Sequence, residues 1–138
     1  MKKIVLIIIL LATFTVVKAQ QHQTKEEKKV HETVVNFFEA LSNRDSIALK
    51  KYASDDIVLY EYGSVWNADT LIRKAIKLNT ASDFKRINNF DFISTTVDKN
   101  TAWTSYNLFS EIIQNGKKNY KTMVGNCHCS KKEKKMAN

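Results

Sequence analysis

At 138 residues, with 43% hydrophobic and 26% charged side chains, the chain has room for one domain with a real core and none for a second. Its formal net charge of +8 overstates the basicity of the body: the first 19 residues hold three lysines, and the block from Lys131 to Lys135 holds four more against Glu133, so the remainder carries only +2. That remainder has no interleaved basic and aromatic pattern, which excludes a nucleic-acid groove, and three glycines are too few for a phosphate-cradling loop. No cofactor is implied.

The chain opens MKKIVLIIILLATFTVVKAQ. Lys2 and Lys3 precede an apolar run from Ile4 to Val17, followed by the small-residue site Val17-Lys18-Ala19. The run is short for a membrane span and no stop-transfer pattern follows, so residues 1–19 read as a secretory signal peptide. No cysteine follows Ala19 to accept a lipid. The expectation is cleavage after Ala19, a mature chain from Gln20, a membrane touched only through the uncleaved signal peptide, and a secreted or periplasmic location.

Thr24 and Glu27 form a capping box ahead of Val30, Val34, Phe37, Phe38 and Leu41 at helical spacing, which predicts a long amphipathic helix. Asn43-Arg44-Asp45 ends it, and Asp45 or Ser46 caps a short second helix with Ile47, Leu49 and Tyr52 as its apolar face. Ile57 to Tyr62 is β-branched and aromatic, stops at Gly63 and reads as a strand. Asp69 is expected to cap a third helix, DTLIRKAIKL. Arg86 to Val97 and Thr101 to Ile113 are long strand candidates joined by the turn composition Asp98-Lys99-Asn100. Asn115-Gly116 is the strongest hairpin signal, with Lys117 to Val124 as the returning strand.

This order, and in particular Phe37-Phe38 and Ala40-Leu41 before Asn43-Arg44-Asp45, then Ala48-Leu49, Tyr52-Ala53 and Asp55-Asp56 leading into the first strand, resembles the nuclear transport factor 2-like superfamily and its small secreted SnoaL-like members. The resemblance runs from Lys25 to Val124. It implies an α+β cone, a strongly bent mixed sheet wrapped round the long N-terminal helix and open at one end to a pocket. Members use that pocket as isomerases, cyclases, dehydratases or plain binding sites, so the fold does not choose among them.

Members normally close with two more long strands in a tryptophan-rich pattern, and this chain departs from that at Met123. Met is ATG and Val is GTN, so reading one nucleotide later forces tryptophan. Continued in that frame, the residues allowed across VGNCHCS include Leu, Glu, Thr, Val, Ile and Val, and Met136-Ala137 forces tryptophan again. The expectation is a cone domain over residues 20–124 whose last strands are missing, and a disordered, out-of-frame tail over residues 125–138.

Cys127-His128-Cys129 lacks a fourth partner and a second paired motif, so no metal site is read there. Two cysteines that close would make a strained disulfide and do not mark an oxidising fold. His31 is expected on a solvated helix flank and His22 in a polar N-terminus. Asp55 and Asp56 are adjacent at a helix–strand junction and read as capping or surface groups. The ligand wall is expected from the aromatic supply of Tyr60, Tyr62, Trp66, Trp103 and Tyr106, with a small apolar or aromatic molecule as partner. The alternative reading is an isomerase- or cyclase-type enzyme with Asp91 or Glu111 as general base and a tyrosine hydroxyl steadying an enolate. A third is a homodimer formed through the exposed face of the sheet.

Overall fold

The computed structural model describes residues 23–61 and 63–130. The signal-peptide assignment, His22, Tyr62 and the lysine block lie outside them. Helix α1 spans Lys25–Ser42, and its capping box is formed as expected: Thr24 N–H donates to Glu27 Oε2 at 2.8 Å, and Glu27 N–H donates to Thr24 Oγ1 at 3.2 Å. The helix ends at Asn43. Arg44 then takes a positive φ of 55°, and Asp45 Oδ1 accepts from the amides of Ile47 and Ala48 to start α2, Ser46–Tyr52. In α2 only Leu49 is buried. Ile47 is 84% exposed, because residues two apart on a helix point to nearly opposite sides.

Two short strands follow, β1 at Leu59–Glu61 and β2 at Ser64–Trp66, paired antiparallel. The strand expected over residues 57–62 is thus shorter, and β2 was not foreseen. Helix α3, Ala68–Leu71, is capped by Asn67 rather than Asp69, because the Asn67 side chain accepts the Thr70 amide at 2.9 Å. It continues as a π-helix over Ile72–Lys77.

The remainder is one antiparallel meander of three 14-residue strands: β3 (Lys85–Asp98), β4 (Thr101–Gln114) and β5 (Lys117–Ser130). All pairing among the described residues is antiparallel, where the resemblance implies a mixed sheet; β1 and β2 pair with each other instead of joining the long strands. Asn115 and Gly116 have φ of 53° and 69°, the left-handed pair that a two-residue hairpin needs, and the amides of both donate to the Asp83 carboxylate at 2.8 and 2.6 Å. Strand β5 does not stop at Val124. It stays paired with β4 to Ser130 opposite Thr101, so residues 125–130 are strand, not a disordered tail. The physical reason is continued alternation: Met123, Gly125, Cys127 and Cys129 face inward against the core, while Val124, Asn126 and His128 face out.

The core lies between α1 and the inner face of the sheet. Val34, Phe38, Leu41, Leu49, Tyr106 and Leu108 are buried, and Phe38, Phe90, Phe92 and Tyr106 meet edge-to-face or stacked at 5.5–6.1 Å between ring centres. His31 near the start of α1 bonds Thr95, and Ser42 at its end bonds Asn88, so α1 runs antiparallel to β3. An 18-residue helix is about 27 Å long. A 14-residue strand is about 46 Å long. One helix cannot cover the whole face, and what α1 leaves uncovered becomes the site.

Candidate functional site

Across the three strands the inward side chains fall into rungs, set by the observed register. From the Thr101 end these are Val97–Ala102–Cys129, Thr95–Thr104–Cys127, Phe92–Tyr106–Gly125, Phe90–Leu108–Met123, Asn88–Ser110–Lys121 and Arg86–Ile112–Asn119. A bulge at Ile93 shifts the register between Phe92 and Ser94, so the inward side chains of β3 change from even- to odd-numbered positions. The face is therefore small and apolar at one end, aromatic in the middle, and charged beside the β4–β5 turn.

Over the charged end lies a cleft of about 940 Å³. Its apolar lining is Phe38 and Leu41 of α1, Trp66 of β2, Leu71, Ala75 and Leu78 around the π-helix, Phe84, and Leu108, Ile112 and Met123 of the sheet. Its charged lining is Glu61, Lys74, Arg86 and Lys121, with the neutral polar groups of Asn79, Ser110, Gln114, Asn119, Tyr120 and Thr122 between them. Arg86 is held in plane: Nε donates to Asn88 Oδ1 at 2.9 Å, Nη2 donates to Ser110 Oγ at 3.1 Å, and the guanidinium sits 5.5 Å from the centre of the Phe38 ring. Asn88 is fixed in turn by Ser42 and Glu39 of α1. The Lys74 ammonium lies 4.3 Å over the Trp66 ring. The loop that carries Asn79 and Phe84 is tied down from two sides, by Arg44 Nη1 donating to the carbonyls of Asn79 and Ala81, and by Asp83 on the hairpin turn. Those two turn amides hold the Asp83 carboxyl below its usual range. A second, smaller groove beside Lys50, Asn67 and Arg73 has Ile72 as its apolar residue and carries the solvated Lys50–Asp69 pair, so the larger cleft is the better ligand site.

The four expected wall residues that are described do not form one wall. Trp66 lines the cleft. Tyr106 is buried in the aromatic layer, where burial, then the neighbouring Cys127, Cys129 and Glu61, push its hydroxyl far above the ordinary range. Trp103 lies on the opposite, outer face of the sheet beside His128, and Tyr60 is 83% exposed. Both carboxylates expected as bases face outward as well. Asp91 is exposed and accepts from Asn107 Nδ2, and Glu111 pairs with Lys118 at 2.8 Å. They stand at odd steps from the buried Tyr106, Leu108 and Phe90, so strand alternation turns them away. The carboxylate that the cleft does offer is Glu61, which the sequence shows only as the one polar break in an apolar strand. Arg86 was legible in principle, since it shares parity with Phe90 and Phe92.

His31 is not on a solvated flank. Its ring stacks on Phe92 at 3.6 Å, Nε2 bonds Thr95 Oγ1 at 2.6 Å, and Thr95 bonds Thr104 beyond it. Burial lowers its pKa from 6.5, with Glu27 pulling the other way. Cys127 and Cys129 share a face with Sγ atoms 3.3 Å apart; that contact and burial hold the Cys127 proton far more tightly than in an ordinary thiol. Among the described residues no cluster of three or more His, Cys, Asp or Glu side chains could hold a metal ion, and no helix is long and apolar enough to cross a membrane.

Helix-backed antiparallel strands with a lined cleft define a small α+β pocket domain, an architecture consistent with the nuclear transport factor 2-like fold. No family model and no curated protein matches the chain. Among solved structures it is similar to a conserved protein from Planctomyces limnophilus DSM 3776, with a TM-score of 0.62 and 13% identity over 75% of this chain and 80% of that one. It is also similar to an LEH-like epoxide hydrolase from M. tuberculosis, with a TM-score of 0.48 and 15% identity over 69% of this chain and 68% of that one. The first likeness shows a shared fold alone, and the second carries no argument.

Proposed function

We propose that the chain is an exported SnoaL-like pocket domain that binds a small apolar or aromatic molecule in the cleft without catalysis. The observation that carries this reading is the cleft itself: about 940 Å³, with an apolar floor at Phe38, Leu41, Leu108, Ile112 and Met123 and polar groups gathered at its charged end. Small-molecule sites have this size, with an apolar body and polar groups that fix orientation. The test is to fill the space from the helical wall. Ala75→Trp should abolish binding of a neutral apolar probe such as 1-anilinonaphthalene while the protein still melts cooperatively. Unchanged probe binding would remove the cleft from consideration. Export is tested by intact mass, which should begin at Gln20.

An enzymatic reading passes from Asp91 and Glu111 to Glu61, the carboxylate that lines the cleft. Turnover of a carbonyl substrate that disappears in Glu61→Gln would favour it over plain binding. Self-association is supported by a separate observation. Ile87, Ile93, Trp103, Phe109 and Val124 are all exposed on the outer face of the sheet. A mass that rises with concentration in size-exclusion chromatography, and falls to that of one chain in Phe109→Lys, supports a homodimer through that face.

A further inference from the structure

We propose that the molecule bound in the cleft is an apolar monocarboxylate, held by its carboxylate at Arg86 and Lys121 with its hydrocarbon body against Leu108 and Met123. The inference rests on the pocket reading and narrows it to a ligand class.

The charges lining the cleft are unequal. Among the described lining residues, Lys74, Arg86 and Lys121 stand against the carboxylate of Glu61, in a cleft whose charged rungs also carry Ser110 and Asn119 and whose floor beyond them, at Leu108 and Met123, is hydrocarbon. Two of these cations occupy adjacent rungs of the same sheet face: Arg86 opposite Ile112, and Lys121 opposite Ser110. The third comes from the helical wall across the cleft. Positive charge thus approaches one volume from both sides, beside apolar side chains that lower the local dielectric and strengthen any ion pair formed there.

Arg86 is also oriented before any ligand arrives. Asn88 and Ser110 fix its plane, and Asn88 is itself anchored to α1 by Ser42. A planar guanidinium held in this way matches the fork of a carboxylate better than a freely rotating ammonium does. Glu61 on the same lining disfavours a ligand with two negative charges, so the complement is a single anionic group. The body of the ligand follows from the rung sequence. Beyond the charged rungs come Phe90–Leu108–Met123, then the closed aromatic layer, so an acyl chain or small ring lying along the strands leaves water as it leaves the cations.

The test is calorimetric titration of the folded protein with octanoate, 1-octanol and methyl octanoate, which share a chain and differ in charge. Octanoate should bind at least about tenfold more tightly than either neutral compound, a difference that one charge-assisted contact supplies. The advantage should shrink with added salt. It should be lost in Arg86→Gln and reduced in Lys121→Gln, while Arg86→Lys should keep only part of it. Thermal melting checks that each variant folds. Lys121→Gln and Lys74→Gln carry the test if loss of the Arg86 bonds to Asn88 and Ser110 disrupts the sheet. Equal affinity for all three compounds overturns the anion assignment and leaves the pocket reading standing. Preferential octanoate binding that no cation variant alters overturns the placement at Arg86 and Lys121. No binding by any of the three overturns the pocket reading with it.

Discussion

Near Thr101 the inner face of the sheet is closed: Tyr106 and Thr104 are buried, Cys127 and Cys129 are half-buried beside them, and His31 is stacked on Phe92. Near Gln114 the same three strands open into a charged cleft. The backbone pairing is continuous between the two ends; the side chains it presents and the cover above them change. Helix α1 is about 19 Å shorter than the strands it crosses, by the rise per residue of each element. The remaining cover comes from a π-helix and a loop tethered at Arg44 and Asp83, and that cover stands off. A pocket in this fold follows from a mismatch of lengths, and its chemistry follows from which rungs fall beyond the end of the helix.

The contrast predicts stability effects that are large at the closed end and small elsewhere. Tyr106→Ala should lower unfolding free energy by about 3–5 kcal/mol, the loss for an emptied aromatic core site, as read by denaturant titration. A loss under about 1 kcal/mol, as a surface site would give, would mean that this end is not packed. Next comes Gly125→Ala. A Cβ there would lie 2.5 Å from Tyr106 Cε2, closer still to its Cζ and 2.6 Å from its hydroxyl oxygen, so the buried ring would have to shift. About 1–3 kcal/mol of overpacking is expected, and Tyr106→Phe should relieve little of it in the double variant, because the clashing ring carbons remain. Trp103→Ala, three residues from Tyr106 on the other face, should cost no more than about 1 kcal/mol and should leave probe binding in the cleft unchanged. Loss of binding there would place Trp103 back in the site.

The smallest effect concerns His31. Burial holds its folded pKa below 6.5, so the fold prefers the neutral ring and the unfolded chain takes up the proton more readily. Its contribution is complete above pH 6.5 and is lost as pH falls through the lower folded value. Melting temperature should therefore drop faster with acid in the wild type than in His31→Asn, although the variant starts lower for want of the Phe92 stack. Parallel pH curves for the two proteins would show that the ring does not titrate with folding.

The elements were mostly legible because their signals are local. Thr24 with Glu27, Asp45 before Ile47, and Asn115-Gly116 each name a backbone geometry that only a few residue types satisfy, and each appears where expected. The strand faces were not legible. The run from Trp103 to Phe109 carries large apolar groups on both parities, so alternation alone could not say that Tyr106 points in and Trp103 out; that is decided by α1, whose Phe38 meets Tyr106. For the same reason Asp91 and Glu111 passed as candidate bases, while Arg86 and Glu61, at the ends of predicted strands, drew no notice as cleft residues. The run from Gly125 to Ser130 looked unlike a strand by composition. Yet glycine and two cysteines are small enough to lie against Tyr106 and the rungs beside it, and a complete partner strand was waiting for their backbone.

The π-helical segment Ile72–Lys77 can also be read as an insertion. A π-turn is an α-helix with a residue accommodated beyond its normal count, and it survives where the displaced side chains are worth the weaker geometry. Removing one residue from this segment would restore the α repeat and, because the wider turn already absorbs the extra residue, leave the chain after it nearly in its present register. Leu78, Asn79 and the Arg44 and Asp83 tethers would keep their places, while the side chains within the turn, Lys74 and Ala75 among them, would be dealt out afresh along the cleft wall. In a lineage of related chains, the lining of this cleft can therefore change through the gain or loss of a single codon, with the sheet and α1 left untouched.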